Sequence, residues 1–280
     1  MKFYTSVLPY RGRLLVRGVD KDGAQKKYRI NYKPSLFVPV GKETKYKTLD
    51  GRYVERIKFD SMPEATKWVN EYKNVTNFEY FGNTRHQYPF IADEFKGKID
   101  WDMNQIKLLT IDIECESENG FPSPEKADQP LICITVKDHT TKRIIVFGMG
   151  NFVNDRDDVQ YINCVTETGL VETFTKFWVE YNPDIITGWN VKFFDIPYLM
   201  NRFRYLMGDE WLNQFSPWGV VEQKSASVLF ASREQQVWNI MGVDTLDYLD
   251  LYRKFTFVRR ESYKLDYIGE VELGQNKLDN

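Results

Sequence analysis

The sequence predicts a mixed α/β fold of the α+β kind, with a smaller β-rich domain ahead of it. Short apolar and aromatic runs alternate with turns from residue 3 to residue 60. Three strand-like runs follow one another closely between residues 108 and 147, and helical stripes then alternate with strands. Strands joined by short links pair antiparallel, and the helices cover the sheet in layers. We therefore expect two domains, residues 1–105 and 106–280.

Composition supports two packed domains and argues against a membrane protein, a disulfide scaffold and a zinc protein. The chain has 280 residues, of which 42% are apolar and 15% aromatic, so there is ample material for packed cores. No run of about 18 apolar residues occurs, so no membrane span is expected. Three cysteines without a CxxC pair and only two histidines fit a reducing cytoplasm better than a disulfide scaffold or a zinc site.

Charge is unevenly distributed along the chain. The net charge is only −2, but residues 1–105 hold 20 basic and 13 acidic side chains, and the remainder holds 18 basic and 27 acidic ones. A basic first third ahead of an acidic remainder suggests that the first domain meets a polyanion. Two domains with differently charged solvated faces explain the pattern equally well.

The predicted elements of the first domain end in a helix. Ser61, followed three residues later by Glu64, is typical of a capping box and predicts a helix start. Residues 74–105 look irregular and aromatic. The apolar stripe of the predicted helix is Ala65, Trp68 and Val69.

The second domain is predicted to begin with an antiparallel meander and to continue with alternating helices and strands. The polar segment 231–234 lies between β-favouring runs and predicts a hairpin at about 219–243. The predicted strands are 108–114, 131–136, 143–147 and 184–189, and the predicted helices are 170–181, 195–207 and Thr245 to about Phe255.

Two acids near the end of the first meander strand are the first candidates for chemistry. Asp112 and Glu114 stand two positions apart, so they project from the same face of the strand. Carboxylates this close repel each other, and apolar surroundings raise their pKa unless a cation intervenes. Mg²⁺ and Mn²⁺ prefer such oxygen ligands. The pair therefore predicts a metal site, and an ordinary strand end with two solvated acids is the alternative.

A second candidate lies where the strand at 184–189 meets the next helix, the usual position for ligands in α/β sheets. Asp195 follows Asn190 in the run Asn-Val-Lys-Phe-Phe-Asp. Its carboxylate can cap the first free N–H groups of that helix, or it can face Asp112 as a third acid. The residues alone leave both roles open.

Together these motifs resemble a known family. Asp-Ile-Glu at 112–114, followed by Gly-Trp-Asn-x-x-x-Phe-Asp at 188–195, resembles the first two motifs of the 3′–5′ proofreading exonuclease of family B DNA polymerases. The resemblance implies a ribonuclease-H-like exonuclease domain with a mixed sheet, acting in phage DNA replication in the bacterial host cytoplasm. Segments that also resemble the polymerases of T-even-type bacteriophages, in order along nearly the whole chain, are 32–37, 120–122, 194–198, 246–252 and 262–268.

The resemblance also implies a two-metal site. Mg²⁺ or Mn²⁺ ions would stabilise the attacking water and the leaving 3′ oxygen of an in-line displacement. By carry-over from the family, Asp112 would bridge both ions, Glu114 would bind the first and Asp195 would hold the second.

For DNA, the resemblance implies that Phe121 stacks on a base of the frayed 3′ end, and that Phe194 and Asn190 position the terminal nucleotide. A loop aromatic packed on its own domain is the plain alternative for Phe121. The hairpin matches in position the element that helps part primer from template. Single-stranded 3′ ends and primer–template DNA are therefore the expected partners.

The sequence departs from the family pattern in two places. The family's fourth carboxylate, in a Tyr-x-x-x-Asp motif beyond Tyr267, is not found, and neither are the polymerase palm motifs. We interpret Asp247 and Asp250 as caps or surface residues rather than substitutes. The expectation is a truncated product or one subunit of a split polymerase, with a second polypeptide as partner and little activity alone. A catalytically silent nucleic-acid-binding module is the alternative.

Overall fold

The computed structural model describes residues 1–117, 120–227 and 234–276. The chain divides into two compact units, Met1–Gln105 and Ile106–Asn280. Within the described ranges, none of the helices combines the length and the apolar character needed to cross a membrane.

The first unit contains strands β1 (Phe3–Tyr10), β2 (Arg13–Val19), β3 (Gln25–Ile30), β4 (Ser35–Pro39), β5 (Tyr46–Lys47) and β6 (Tyr53–Lys58), with helices α1 (Met62–Tyr72) and α2 (Gln87–Glu94). Two small antiparallel sheets, ordered β1-β2-β3 and β4-β6-β5, confirm the β-rich prediction. Helix α2 lies in the stretch predicted to be irregular. It buries only Phe90, so its sequence carries too little periodicity to reveal a helix.

The start of α1 follows the predicted capping pattern with one change. Ser61 Oγ accepts a hydrogen bond from the Glu64 N–H at 3.3 Å, as a capping residue should. The Glu64 carboxylate, however, accepts from the N–H of Asp60 at 2.7 Å, one residue before the capping serine. The reciprocal bond of the box is therefore made one position earlier than the pattern predicts.

The second unit is organised around a six-stranded mixed sheet. Its elements are β7 (Leu108–Cys115), β8 (Leu131–Asp138), β9 (Ile144–Gly148), β10 (Val159–Asn163), α3 (Glu167–Tyr181), β11 (Ile185–Gly188), α4 (Asp195–Met207), α5 (Asp209–Leu212), β12 (Val221–Ser227), β13 (Glu234–Ile240), β14 (Asp244–Asp247), α6 (Tyr248–Phe255) and α7 (Leu265–Leu273). The sheet order is β10-β9-β8-β7-β11-β14. Strand β8 is antiparallel to both of its neighbours, which confirms the meander, and the remaining neighbours pair parallel.

Two strands of this sheet were not predicted from the sequence. Strand β10 pairs with β9, and β14 pairs with β11. The helix predicted from Thr245 is therefore wrong at its start, because Asp244–Asp247 extends the sheet and α6 begins only at Tyr248. A four-residue strand shows too few alternations to be distinguished from the first turn of a helix.

An aromatic core holds α3 and α4 on the sheet. Phe174 of α3 is completely buried. The indole N–H of Trp178, one turn later, donates to the Phe215 carbonyl at 2.9 Å, so even the polar atom of this core is satisfied. The rings whose centroids lie within 6.2 Å of Phe174 are Phe147, Trp178, Phe203 and Phe215.

Candidate active site

Strand β7 presents its two acids on the solvent side. Leu109, Ile111 and Ile113 are buried, whereas Asp112 and Glu114 between them are exposed. The prediction that both acids share one face is confirmed. The expectation that apolar surroundings leave them unsolvated is wrong, because the apolar side chains of the strand point to the other face.

Asp195 is a buried acid beside strand β7. It is only 4% exposed. Burial and the charge of Asp112 raise the pKa of Asp195 to about 8, although its own backbone N–H and that of Ile113 donate to the carboxylate and oppose the rise. The structure therefore brings Asp195 and Asp112 close to each other.

The sequence between β11 and α4 explains how Asp195 reaches this place. The pairing of β11 with β7 ends at Thr187 and Thr110, so β7 continues past the end of β11. At Gly188 a Cβ would lie 2.6 Å from the carbonyl oxygen of Ile111, so only glycine allows this approach. Asn190 then adopts a left-handed conformation (φ 63°) and turns the chain toward α4.

Three rings form a row beside the buried acid. The centroids of Phe121 and Phe194 are 5.3 Å apart, and those of Phe194 and Tyr198 are 6.0 Å apart. Phe121 is 87% exposed, so it is not packed into its own domain. The outer ring of this row thus offers a free face for stacking.

Helix α4 holds the loop that carries Phe121. The hydroxyl of Tyr198 donates to the Gln129 carbonyl at 2.6 Å, and the side-chain amide of Asn201 donates to the Pro124 carbonyl at 2.7 Å. Arg202 donates to the Ala127 carbonyl at 3.1 Å. The helix that begins with Asp195 therefore also fixes the loop.

The predicted hairpin is formed by β12 and β13, and it is anchored to the same helix. The Asn201 side-chain oxygen accepts from Gln223 at 3.4 Å and from the Trp238 indole at 3.3 Å. Gln235 donates to the carbonyl of Phe193 at 3.1 Å. The hairpin tip, residues 228–233, lies outside the described residues, and with it most of the predicted polar segment.

Asp247 is the functional candidate whose contacts sequence reasoning missed. It is buried at the end of β14 and caps α6 by accepting from the Leu249 N–H, which confirms its interpretation as a cap. The same carboxylate also accepts from the N–H groups of Asn190 and Lys192. In a sequence, an acid directly before a helix indicates a helix cap and gives no sign of hydrogen bonds to a distant turn. Asp250, also interpreted as a cap or surface residue, lies 3.6 Å from the Lys192 ammonium.

The side chains at this site meet only some of the requirements for binding a divalent cation. Carboxylate oxygens are the ligands that Mg²⁺ and Mn²⁺ prefer, and the structure brings the carboxylates of Asp112 and Asp195 close to each other. In the part of the chain that the structure describes, however, no three acidic, histidine or cysteine side chains are arranged so that they could hold a metal ion. Glu114 does not form such a group with Asp112 and Asp195.

A mixed sheet with one antiparallel strand, and facing carboxylates where β7 meets α4, defines a nuclease domain of the ribonuclease-H-like type. The family described as "DNA polymerase family B, exonuclease domain" matches residues 64–268. This chain belongs to that family. Exonuclease domains of the family generally use divalent metals.

The relatives found by comparison are DNA polymerases. The chain is 31% identical to the DNA-directed DNA polymerase of Escherichia phage RB69 over 99% of this chain and 33% of the relative. It is 28% identical to that of Enterobacteria phage T4 over the same shares. The DNA polymerase delta catalytic subunit of Candida albicans is 31% identical over 63% of this chain and 18% of the relative. The chain thus spans about a third of the length of the two phage relatives.

Proposed function

We propose that this chain carries the proofreading 3′–5′ exonuclease site of a DNA-directed DNA polymerase that acts in phage DNA replication, in the cytoplasm of a bacterial host. Residues 1–105 are assigned as the N-terminal domain and 106–280 as the exonuclease domain. One observation supports the proposal above the others. The facing acids Asp112 and Asp195 lie on the two elements that meet beside the rings of Phe121, which is exposed, and Phe194, which is partly buried.

Asp112, Glu114 and Asp195 are proposed as ligands of two divalent ions, Mg²⁺ or Mn²⁺. Bound there, the ions would supply charge for the phosphate oxygens and a nucleophilic water. Asp195 has a raised pKa of about 8, so a cation must displace its proton. Metal affinity is therefore expected to increase as the pH rises toward 8.

The aromatic row is proposed to receive the single-stranded 3′ end of DNA. Phe121 offers a free ring face for the terminal base, and Phe194 supports it from behind. Stacking on a ring is tolerant of base identity, as removal of any mispaired nucleotide requires. Asn190 is proposed to position the terminal nucleotide from the turn before α4.

Substituting Phe121 with alanine is expected to weaken binding of single-stranded DNA. Loss of one stacked base corresponds to about 1–3 kcal/mol, or roughly a 5- to 150-fold higher Kd. Fluorescence anisotropy with a labelled oligothymidine measures it. Phe152→Ala removes another exposed phenylalanine and serves as the control, which should bind as the wild type does. Equal affinities of all three proteins would contradict a stacking role for Phe121.

The proposed function is tested by trimming of a 5′-labelled single-stranded oligonucleotide. The wild type at excess over DNA should shorten it from the 3′ end in Mn²⁺ or Mg²⁺ and not in a chelator. The expected activity of this chain alone is weak, so single-turnover conditions are used. Asp112→Ala should reduce cleavage by about a hundredfold or more, because it removes a charge-stabilising group. Asp157→Ala removes an exposed acid of the same kind and should leave the rate unchanged.

Two outcomes would contradict the proposal. Cleavage that Asp112→Ala leaves undiminished would place the active centre elsewhere. DNA binding without any metal-dependent cleavage, both by this chain alone and with the proposed second polypeptide added, would identify a silent nucleic-acid-binding module. A second polypeptide with the polymerase segments stays a prediction of the family resemblance. Its test is co-purification, followed by faster trimming when the two chains are mixed.

A further inference from the structure

Asp247 is a buried carboxylate to which the proposed function gives no role. It is the last residue of β14 and is 4% exposed. One oxygen accepts from the N–H groups of Asn190 at 3.1 Å and Leu249 at 2.9 Å. The other accepts from the N–H of Lys192 at 3.0 Å. All three donors are backbone groups, so the contacts act on the path of the chain.

Capping of α6 explains only one of these three bonds. The bonds to Asn190 and Lys192 reach a segment more than fifty residues earlier, the turn between β11 and α4. Asn190 holds a left-handed conformation there, which asparagine tolerates better than most residues other than glycine. Two oxygens of one carboxylate, each bonded to a different N–H of the turn, fix the orientation of both peptide planes.

Backbone hydrogen bonds connect this turn to the start of α4. The Phe194 N–H donates to the Asn190 carbonyl at 2.9 Å, and the Ile196 N–H donates to the Val191 carbonyl at 3.0 Å. Asp195 lies between these two donors. The turn that Asp247 holds is thus hydrogen-bonded to the N-cap residue and to the first turn of the helix that carries the buried acid.

We propose that Asp247 is a positioning residue, which holds the turn from Asn190 to Lys192 so that Asp195 faces Asp112 at the divalent-cation site. The inference rests on the proposed function, because it assigns Asp195 to that site. Asp247 acts on the site through the backbone of the turn and is not proposed as a ligand. Its contribution is the fixed geometry of the turn.

Two substitutions separate this role from helix capping. Asp247→Asn keeps the shape but replaces one acceptor oxygen with an N–H₂ group, so one backbone N–H loses its partner. Asp247→Ser keeps a good capping residue for α6 but is too short to reach Asn190 and Lys192. Asp244→Asn, on the exposed first residue of β14, removes an equal charge from the same strand and is the matched control.

The principal measurement is the Kd of Mn²⁺, obtained from the electron paramagnetic resonance signal of the free ion. Asp247→Ser, which loses both bonds to the turn, should bind Mn²⁺ about tenfold more weakly or worse, as is typical when a residue that orients a ligand is removed. Asp247→Asn, which keeps part of this bonding, should show a smaller loss. Asp244→Asn should bind as the wild type does. Amide hydrogen exchange should become faster in residues 189–194 of the serine variant and stay unchanged in 249–255, which shows that α6 is still capped.

The outcomes distinguish this inference from the function on which it rests. If the wild type binds Mn²⁺ and both folded Asp247 variants bind it equally well, the positioning role is overturned while the proposed site survives. The same holds if Asp247→Asn and Asp247→Ser weaken binding equally, because the loss of a negative charge that acts on Asp195 would then explain the effect. If the wild type binds no Mn²⁺, the proposed site fails and the positioning role fails with it.

Discussion

Replacing Asp195 with asparagine is expected to stabilise the folded chain at pH 8–9 and to abolish metal-dependent trimming of DNA. Burial and the neighbouring Asp112 raise the pKa of Asp195 to about 8, against 3.8 for an ordinary aspartate. Between these two values the folded state keeps a proton that the unfolded state has lost. The free energy of unfolding of the wild type therefore falls as the pH rises from about 4 to about 8, and the decline stops above that.

Asparagine carries no such proton, so the variant should not share the decline. Across this window the free energy of unfolding of the wild type falls by at most about 1.4 kcal/mol per pH unit. The wild type and the variant should therefore differ by several kcal/mol by pH 8. Urea unfolding at pH 5, 7 and 9 in chelator measures the difference. Asp157→Asn, on an exposed position, should follow the wild-type curve. Parallel pH curves for wild type and Asp195→Asn would show that Asp195 is not a buried, protonated acid.

The activity of the same variant should change in the opposite direction. A neutral amide cannot replace a carboxylate ligand, so the single-turnover rate of trimming should fall by about two to three orders of magnitude. A variant that is both more stable and less active is the outcome expected for a residue placed for function at a cost in stability. Retained activity would remove Asp195 from the proposed site.

Truncating Phe174 to alanine is expected to cost the second unit about 3–5 kcal/mol in its free energy of unfolding. The ring is completely buried among other aromatic rings on α3, β9 and α4, so its removal leaves a cavity that rigid neighbours cannot fill. Urea unfolding followed by near-ultraviolet circular dichroism reports the loss of this packing.

Phe257→Ala is the matched control for this measurement. Its side chain is 98% exposed, and the substitution should change the free energy of unfolding by no more than about 0.5 kcal/mol. A loss below about 1 kcal/mol for Phe174→Ala would mean that the aromatic core does not fix α3 and α4 on the sheet.

The long elements of the fold were predictable from sequence, and the short ones were not. Helices α3 and α4 run for 15 and 13 residues, long enough for an apolar stripe to repeat. The meander strands have apolar runs of ordinary strand length. Strand β14 has four residues and exists because β11 offers it a parallel partner, and no local pattern encodes that partner.

The candidate site was predictable in its residue types but not in its environment. Spacing placed Asp112 and Glu114 on one face, but which face is solvated depends on the elements that cover the sheet. Burial of Asp195 depends on β7 continuing past the end of β11. The bond from Asp247 to the turn at Asn190 spans 57 residues, a distance at which sequence periodicity carries no information.

The side-chain amide of Asn201 has a consequence for how this domain can vary. Its N–H₂ group donates to the loop at Pro124, while its oxygen accepts from Gln223 and Trp238 of the hairpin. The N–H₂ group of this amide thus binds the loop, and its oxygen binds the hairpin. The same oxygen also accepts from Arg204 of α4 at 3.1 Å. A hairpin transplanted from a relative without both donors would therefore leave the amide held by α4 and the loop, but no longer bonded to the hairpin. Asn201 thus connects the hairpin to the loop through α4, and a new hairpin keeps that connection only if it brings matching donors.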